Sequence, residues 1–169
     1  EGQTIRLVID RVDQLPSGEK IIIDYKTGKV EPKKWFGERP EDSQLPLYAI
    51  SAETTPAAVV FGIIRDDGCL YKGVVKLGGV FPGLPPKAGK ANQYLIDAGA
   101  EMSTTIDNWR QVIHRLMSEF LAGEAKIDPK HGTKTCDNSY CELQSLCRIG
   151  ELEQRHNNAL KINLTEASA

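Results

Sequence analysis

The stretch IDRVDQLPSGEKIIIDYKTGK, residues 9–29, decides the fold. Two runs rich in β-branched residues, 4–13 (TIRLVIDRVD) and 20–26 (KIIIDYK), flank a Leu-Pro-Ser-Gly-Glu turn. That pattern predicts a β-hairpin. A turn centred on Ser17 places Asp10 opposite Asp24. Cross-strand neighbours on one face have Cβ atoms roughly 4.5–5.5 Å apart, where like charges repel. Alternation along the strand adds Lys26 to the face of Asp24, together with Val8, Val12 and Ile22, and turns Tyr25 away. The expected constellation is two carboxylates and one ammonium group on one side of an apolar hairpin.

Two readings of that constellation compete. In the plain one, Lys26 neutralises a carboxylate on a surface hairpin. In the other, Asp10, Asp24 and the backbone carbonyl of Tyr25 are oxygen ligands for Mg²⁺ or Mn²⁺, which keep several waters. The metal would relieve the repulsion between the carboxylates. The ammonium of Lys26 would orient a water and neutralise charge developing on a phosphate. This is the chemistry of metal-assisted phosphodiester hydrolysis.

Working outward, residues 27–42 form a polar loop that carries Lys29, Lys33, Lys34 and Arg39 just beyond Lys26. Trp35 and Phe36 interrupt the basic run, and are read either as stacking platforms for unpaired bases or as an aromatic pair tucked into the core. A short helix is predicted at 42–53, with Pro46 in its first turn. Residues 57–64 and 69–77 form a second strand pair about the turn Asp66-Asp67-Gly68. Residues 78–92, rich in Gly and Pro, are expected to be loop. The apolar spacing of Ile106, Trp109, Val112, Ile113, Leu116, Met117, Phe120 and Leu121 predicts a helix over 104–122, stopped by Gly123. His114 borders that stripe and is given no catalytic role. A polar, poorly ordered tail is expected from about 151.

The composition bounds these readings. At 169 residues and 40% hydrophobic, the chain can bury one core and little more. A net charge of −2 gives no global basic field, so any nucleic-acid contact must be local. No run approaches the roughly 20 apolar residues of a membrane span. The chain enters a strand pattern almost at once without an initiating Met, which predicts a piece of something longer. Of four cysteines, Cys136, Cys141 and Cys147 crowd together, suggesting a metal or cluster site in a reducing, cytoplasmic setting.

These residues resemble the active-site hairpin of the PD-(D/E)XK nucleases, specifically the RecB/AddB-type branch. There an Asp on one strand precedes a D-Y-K on the next, and a Q-x-x-x-Y motif follows on a helix. Here those motifs are Asp10, Asp24-Tyr25-Lys26 and Gln44-Leu-Pro-Leu-Tyr48. The i, i+4 spacing puts Gln44 and Tyr48 on one helical face. The resemblance implies an α/β restriction-endonuclease-like core, a mixed sheet flanked by helices, over residues 1–150. It implies Asp10 and Asp24 as metal ligands, Lys26 as catalytic lysine, and Gln44 and Tyr48 as residues that bind DNA and shape the site. Lys29, Lys33, Lys34 and Arg39 would contact phosphates. In iron–sulfur members of the branch, three C-terminal cysteines and one upstream hold a [4Fe–4S] cluster. Cys136, Cys141 and Cys147 would then be three of its ligands, the fourth lying outside this chain. From the residues alone, Zn²⁺ is the alternative, with Cys69, His131 or His156 as other candidates for a fourth ligand. Related nucleases also carry a His or Glu on a helix before the hairpin; the sequence opens at the hairpin, so the resemblance implies an N-terminally incomplete domain.

The resulting expectation is a DNA exonuclease acting on single strands or ends in repair or recombination, beside a helicase domain or subunit. The alternative from another class is a catalytically silent DNA-binding scaffold, which has no reason to retain Asp10, Asp24 and Lys26 together. A two-carboxylate glycosidase fails on Lys26 and on the lack of an aromatic sugar-binding surface.

Overall fold

The computed structural model describes residues 4–66, 68–76, 95–97, 102–139 and 141–155. Strands β1 (Arg11–Gln14) and β2 (Lys20–Lys26) form the hairpin. A 3-10 turn (Pro32–Trp35) and helix α1 (Gln44–Ser51) then lead to β3 (Ala58–Arg65), β4 (Gly68–Val75) and β5 (Leu95–Asp97). Helices α2 (Met102–Leu121), α3 (Thr133–Asn138) and α4 (Gln144–Cys147) follow. The chain divides into two compact units, Glu1–Glu119 and Phe120–Ala169.

In the first unit the strands make one mixed sheet in the order β1-β2-β3-β4-β5. β1–β2 and β3–β4 are antiparallel, as tight turns dictate, whereas β2–β3 and β4–β5 are parallel. A parallel neighbour needs a crossover, and between β2 and β3 that crossover holds the basic loop and α1. The loop and helix are thereby delivered to the end of β2 that carries Asp24 and Lys26.

β2 and β3 are buried on both faces, which is why they read as continuous apolar runs. On one face Ile22, Val59, Phe61, Ile63 and Val74 pack with Leu45, Tyr48 and Ala49 of α1 and Met102, Ile106 and Trp109 of α2. On the other, Ile21, Ile23, Ala58, Val60 and Val75 pack with Leu15 and Tyr71. Strands apolar on both faces call for cover on both sides of the sheet. Among the described residues, α1 and α2 join only the first cluster.

Most predicted elements are present with shifted ends. α1 is shorter than 42–53, and α2 starts two residues before 104. α2 stops where Gly123 takes φ +79°, the left-handed position that glycine adopts without steric cost, and its N–H donates to the Phe120 carbonyl at 3.0 Å. Val8 and Val12, placed with the charged constellation by alternation, are 65% and 46% exposed. The segment 78–92 lies outside the described residues.

In the second unit, α3 and α4 are followed by a helical stretch over 149–155, where the sequence suggested the start of a polar tail. Ile149 is its buried apolar residue, and Glu153 accepts the Thr133 N–H at 2.7 Å. Those two contacts give an otherwise polar stretch a reason to fold.

Candidate active site

The hairpin register is the one a turn at Ser17 dictates, running from Gln14↔Lys20 to Arg11↔Ile23. That ladder ends one residue short of Asp10 and Asp24. Asp10 instead accepts the Tyr25 backbone N–H on its Oδ2 at 2.9 Å. Asp24 sits beside Phe61 of β3 and is 1% exposed, the one buried charged side chain among the described residues.

A closed polar network surrounds Asp24. Lys26 Nζ lies 2.7 Å from Asp24 Oδ2 and donates to Gln44 Oε1 at 3.0 Å. Gln44 Nε2 donates to Asp24 Oδ1 and to the Tyr48 hydroxyl, both at 3.0 Å. The Tyr48 hydroxyl donates to the Val8 carbonyl at 2.5 Å. Helical spacing brings Gln44 and Tyr48 onto one face of α1, and their side chains tie that helix to β2 and to the chain before β1. The bond to Asp24 raises the Lys26 pKa above the ordinary lysine value. Partial burial opposes the shift, and the charges of Asp24, Asp10 and Asp42 reinforce it. Lys26 is therefore an ammonium at neutral pH.

The donor set fits a small hard cation. Asp24 Oδ2 is buried and makes no aligned hydrogen bond, meeting only the Lys26 charge. Asp10 is exposed on the adjoining strand end. Two carboxylates leave most of a hexacoordinate shell to waters and phosphate oxygens, as Mg²⁺ prefers. Among the described residues no group of three or more His, Cys, Asp or Glu gathers as a metal site.

Beside this network opens a cleft of about 930 Å³, walled by Lys26, Gln44, Leu47 and Tyr48 on one side. Lys29 and Lys34 of the basic loop line it; Lys33 and Arg39 do not. Lys33 pairs with Glu31 at 3.3 Å and Lys34 with Glu41 at 3.6 Å. Arg6 also lines the cleft, and sequence reading missed it. A signal existed, since alternation from Asp10 back along the chain reaches Arg6. Of the two readings of the aromatic pair, the core one holds. Trp35 is fully buried against Phe61 and Trp109, with ring centroids 5.0 and 6.1 Å away, and Phe36 lies 5.6 Å from Trp109.

The C-terminal thiols are free and half-buried. Burial and then the neighbouring Cys141 and Cys147 push the Cys136 thiol pKa up. Cys147 Sγ donates to the Gln144 carbonyl at 3.6 Å, and Cys141 N–H to the Cys136 carbonyl at 3.0 Å. Among the described residues no three of the His, Cys, Asp and Glu side chains gather here as a metal site. Cys69 is exposed on β4 in the other unit, His131 is exposed, and His156 lies outside the described residues.

No curated protein and no solved structure matches the chain. The family model of the PD-(D/E)XK nuclease superfamily does match, over residues 3–148. That span holds Asp10, Asp24, Lys26 and the Gln44–Tyr48 helix on the mixed, helix-flanked sheet of a restriction-endonuclease-like fold. The chain belongs to the PD-(D/E)XK nuclease superfamily.

Proposed function

We propose that the protein is a divalent-metal-dependent DNA nuclease of the RecB/AddB-type branch, hydrolysing phosphodiester bonds at single strands or ends. The observation that carries this reading is the closed Asp24–Lys26–Gln44–Tyr48 network beside the cleft. Asp10, Asp24 and the Tyr25 carbonyl would hold Mg²⁺ or Mn²⁺, which when bound supplies Lewis acidity and a reactive water. Lys26 stays charged at neutral pH, so it orients the attacking water and neutralises charge on the phosphate without acting as a base. Gln44 bridges Asp24 and Lys26, and Tyr48 ties Gln44 to the chain before β1. Lys29, Lys34 and Arg6 would hold flanking phosphates along the cleft.

The finer context follows the motif resemblance: repair or recombination, with a helicase domain or subunit delivering the strand. A [4Fe–4S] cluster at Cys136, Cys141 and Cys147 rests on that resemblance alone, with Zn²⁺ as the alternative that the residues themselves allow. A visible-absorption spectrum of anaerobically prepared protein separates the two occupants.

The deciding experiment is a nuclease assay on linear, circular and single-stranded DNA with and without EDTA. Asp24→Ala and Lys26→Ala should abolish cleavage and leave DNA binding in place. Normal cutting by both variants would show the site to be misassigned.

A further inference from the structure

The side chains of Arg11, Asp13 and Tyr25 have no part in the site described above, and the reverse face of the hairpin shows what they do. Arg11 Nε donates to Asp13 Oδ1 at 2.7 Å, and Arg11 Nη1 donates to the Tyr25 hydroxyl at 3.1 Å. Tyr25 faces Gly62 across the parallel β2–β3 pair. A Cβ at Gly62 would come within 2.9 Å of the Tyr25 ring and 3.3 Å of Ile23, so the ring lies against strand β3 only because Gly62 has no side chain. Tyr25 is thus held at both ends, by β3 beneath its ring and by Arg11 at its hydroxyl.

This matters because of where the ladder stops. Its last pair is Arg11↔Ile23, so no ladder pair fixes Asp10 against Asp24. What spans that open end is a closed loop of contacts. Asp10 is bonded covalently to Arg11, Arg11 reaches the Tyr25 hydroxyl, and the Tyr25 N–H reaches the Asp10 carboxylate. Asp13 fixes the guanidinium, whose planar fork presents separate N–H groups to two partners, which a lysine would not. The residues that follow Asp10 and Asp24 in sequence therefore set the spacing between those two carboxylates.

We propose that Arg11, Asp13, Tyr25 and Gly62 form a reverse-face latch that positions Asp10 and Asp24 for a divalent cation. This rests on the reading of those carboxylates as metal ligands. The latch side chains are positioning groups and touch neither metal nor DNA; of the four residues only Tyr25 also reaches the site, through its backbone. Arg11 is exposed and Tyr25 is 38% exposed, so breaking the latch should shift the thermal midpoint little.

The test is Mn²⁺ binding by titration calorimetry on the DNA-free protein, alongside steady-state cleavage. Tyr25→Phe and Arg11→Met should each weaken Mn²⁺ binding by about 10-fold, the lower range for partners that orient metal ligands. The double variant should be no weaker than either single one, because both break the same bond. Gly62→Ala should act in the same direction while keeping every polar group. The KM for DNA should hold while kcat falls at limiting metal and recovers at saturating metal. Lys20→Met, which breaks an exposed ion pair at the far end of the hairpin, should change none of these. Wild-type Mn²⁺ affinity in Tyr25→Phe and Arg11→Met would overturn the latch. If Asp24→Asn binds Mn²⁺ like wild type, the metal reading itself has failed. Hydrogen exchange at the Tyr25 amide then decides the latch alone: faster exchange in Arg11→Met supports it, and unchanged exchange overturns it.

Discussion

Gln44 is the residue on which the site closes. Its carboxamide accepts from Lys26 and donates to both Asp24 and Tyr48, so one side chain satisfies three partners. Gln44→Ala leaves a buried Asp24 oxygen without its hydrogen bond, at a cost of about 1–3 kcal/mol. Tyr48→Phe removes only the anchor to Gln44 and the Val8 carbonyl, and should cost about 0.5–1.5 kcal/mol. Urea unfolding of the two variants checks the ranking, and equal losses would mean that the network does not centre on Gln44. At this scale the sequence was legible wherever a local period applies. Two-residue alternation gave Lys26 beside Asp24, and the four-residue spacing gave Gln44 beside Tyr48. The sequence carries no direction for Lys33 and Lys34, which are adjacent in a 3-10 turn, and of the two only Lys34 lines the cleft.

Among the elements, the crossover from β2 to β3 does most to place the site, and Trp35 is its plug. The indole is fully buried between Phe61 of β3 and Trp109 of α2, which fixes the basic loop against the sheet. Its Nε1 finds no hydrogen-bond partner, so packing alone holds it. Trp35→Ala should cost about 3–5 kcal/mol, as for large aromatic truncations in cores. Trp35→Phe removes the unpartnered N–H along with part of the volume and should cost distinctly less. Denaturant midpoints of the two variants decide this, and equal losses would mean the indole ring's outer half carries the packing. The polar, Lys-rich loop left this burial undecided between two readings, because its few apolar residues follow no period. β5 was equally hidden. It pairs in parallel with β4 across a long connection, and no turn signal announces such a partner. The hairpins were legible because antiparallel neighbours are joined by short turns whose residues name them.

For the molecule as a whole, charge decides how a nucleic acid could be held. With a net charge of −2 the chain as a whole does not attract polyanions, and the cations that matter must be concentrated at the cleft. Four cations line it, but Lys26 is committed to Asp24 and Lys34 is paired with Glu41. Among the described residues, Arg6 and Lys29 line the cleft without an ion pair, so they are the first candidates for phosphate contact. Each phosphate neutralised on a single strand contributes about −0.7 to the slope of log K against log salt. Binding of a single-stranded oligonucleotide to the Asp24→Ala protein, in EDTA so that it is not cut, should therefore show a slope of about −1.4 or somewhat steeper. Arg6→Ala and Lys29→Ala should each flatten the slope by about 0.7, whereas Lys33→Ala should leave it unchanged. Fluorescence anisotropy over a salt series reads all of these. A flattening by Lys33→Ala equal to that of Lys29→Ala would put the strand on the outer surface of the loop, and the cleft would lose its role as the path to Asp24 and Lys26.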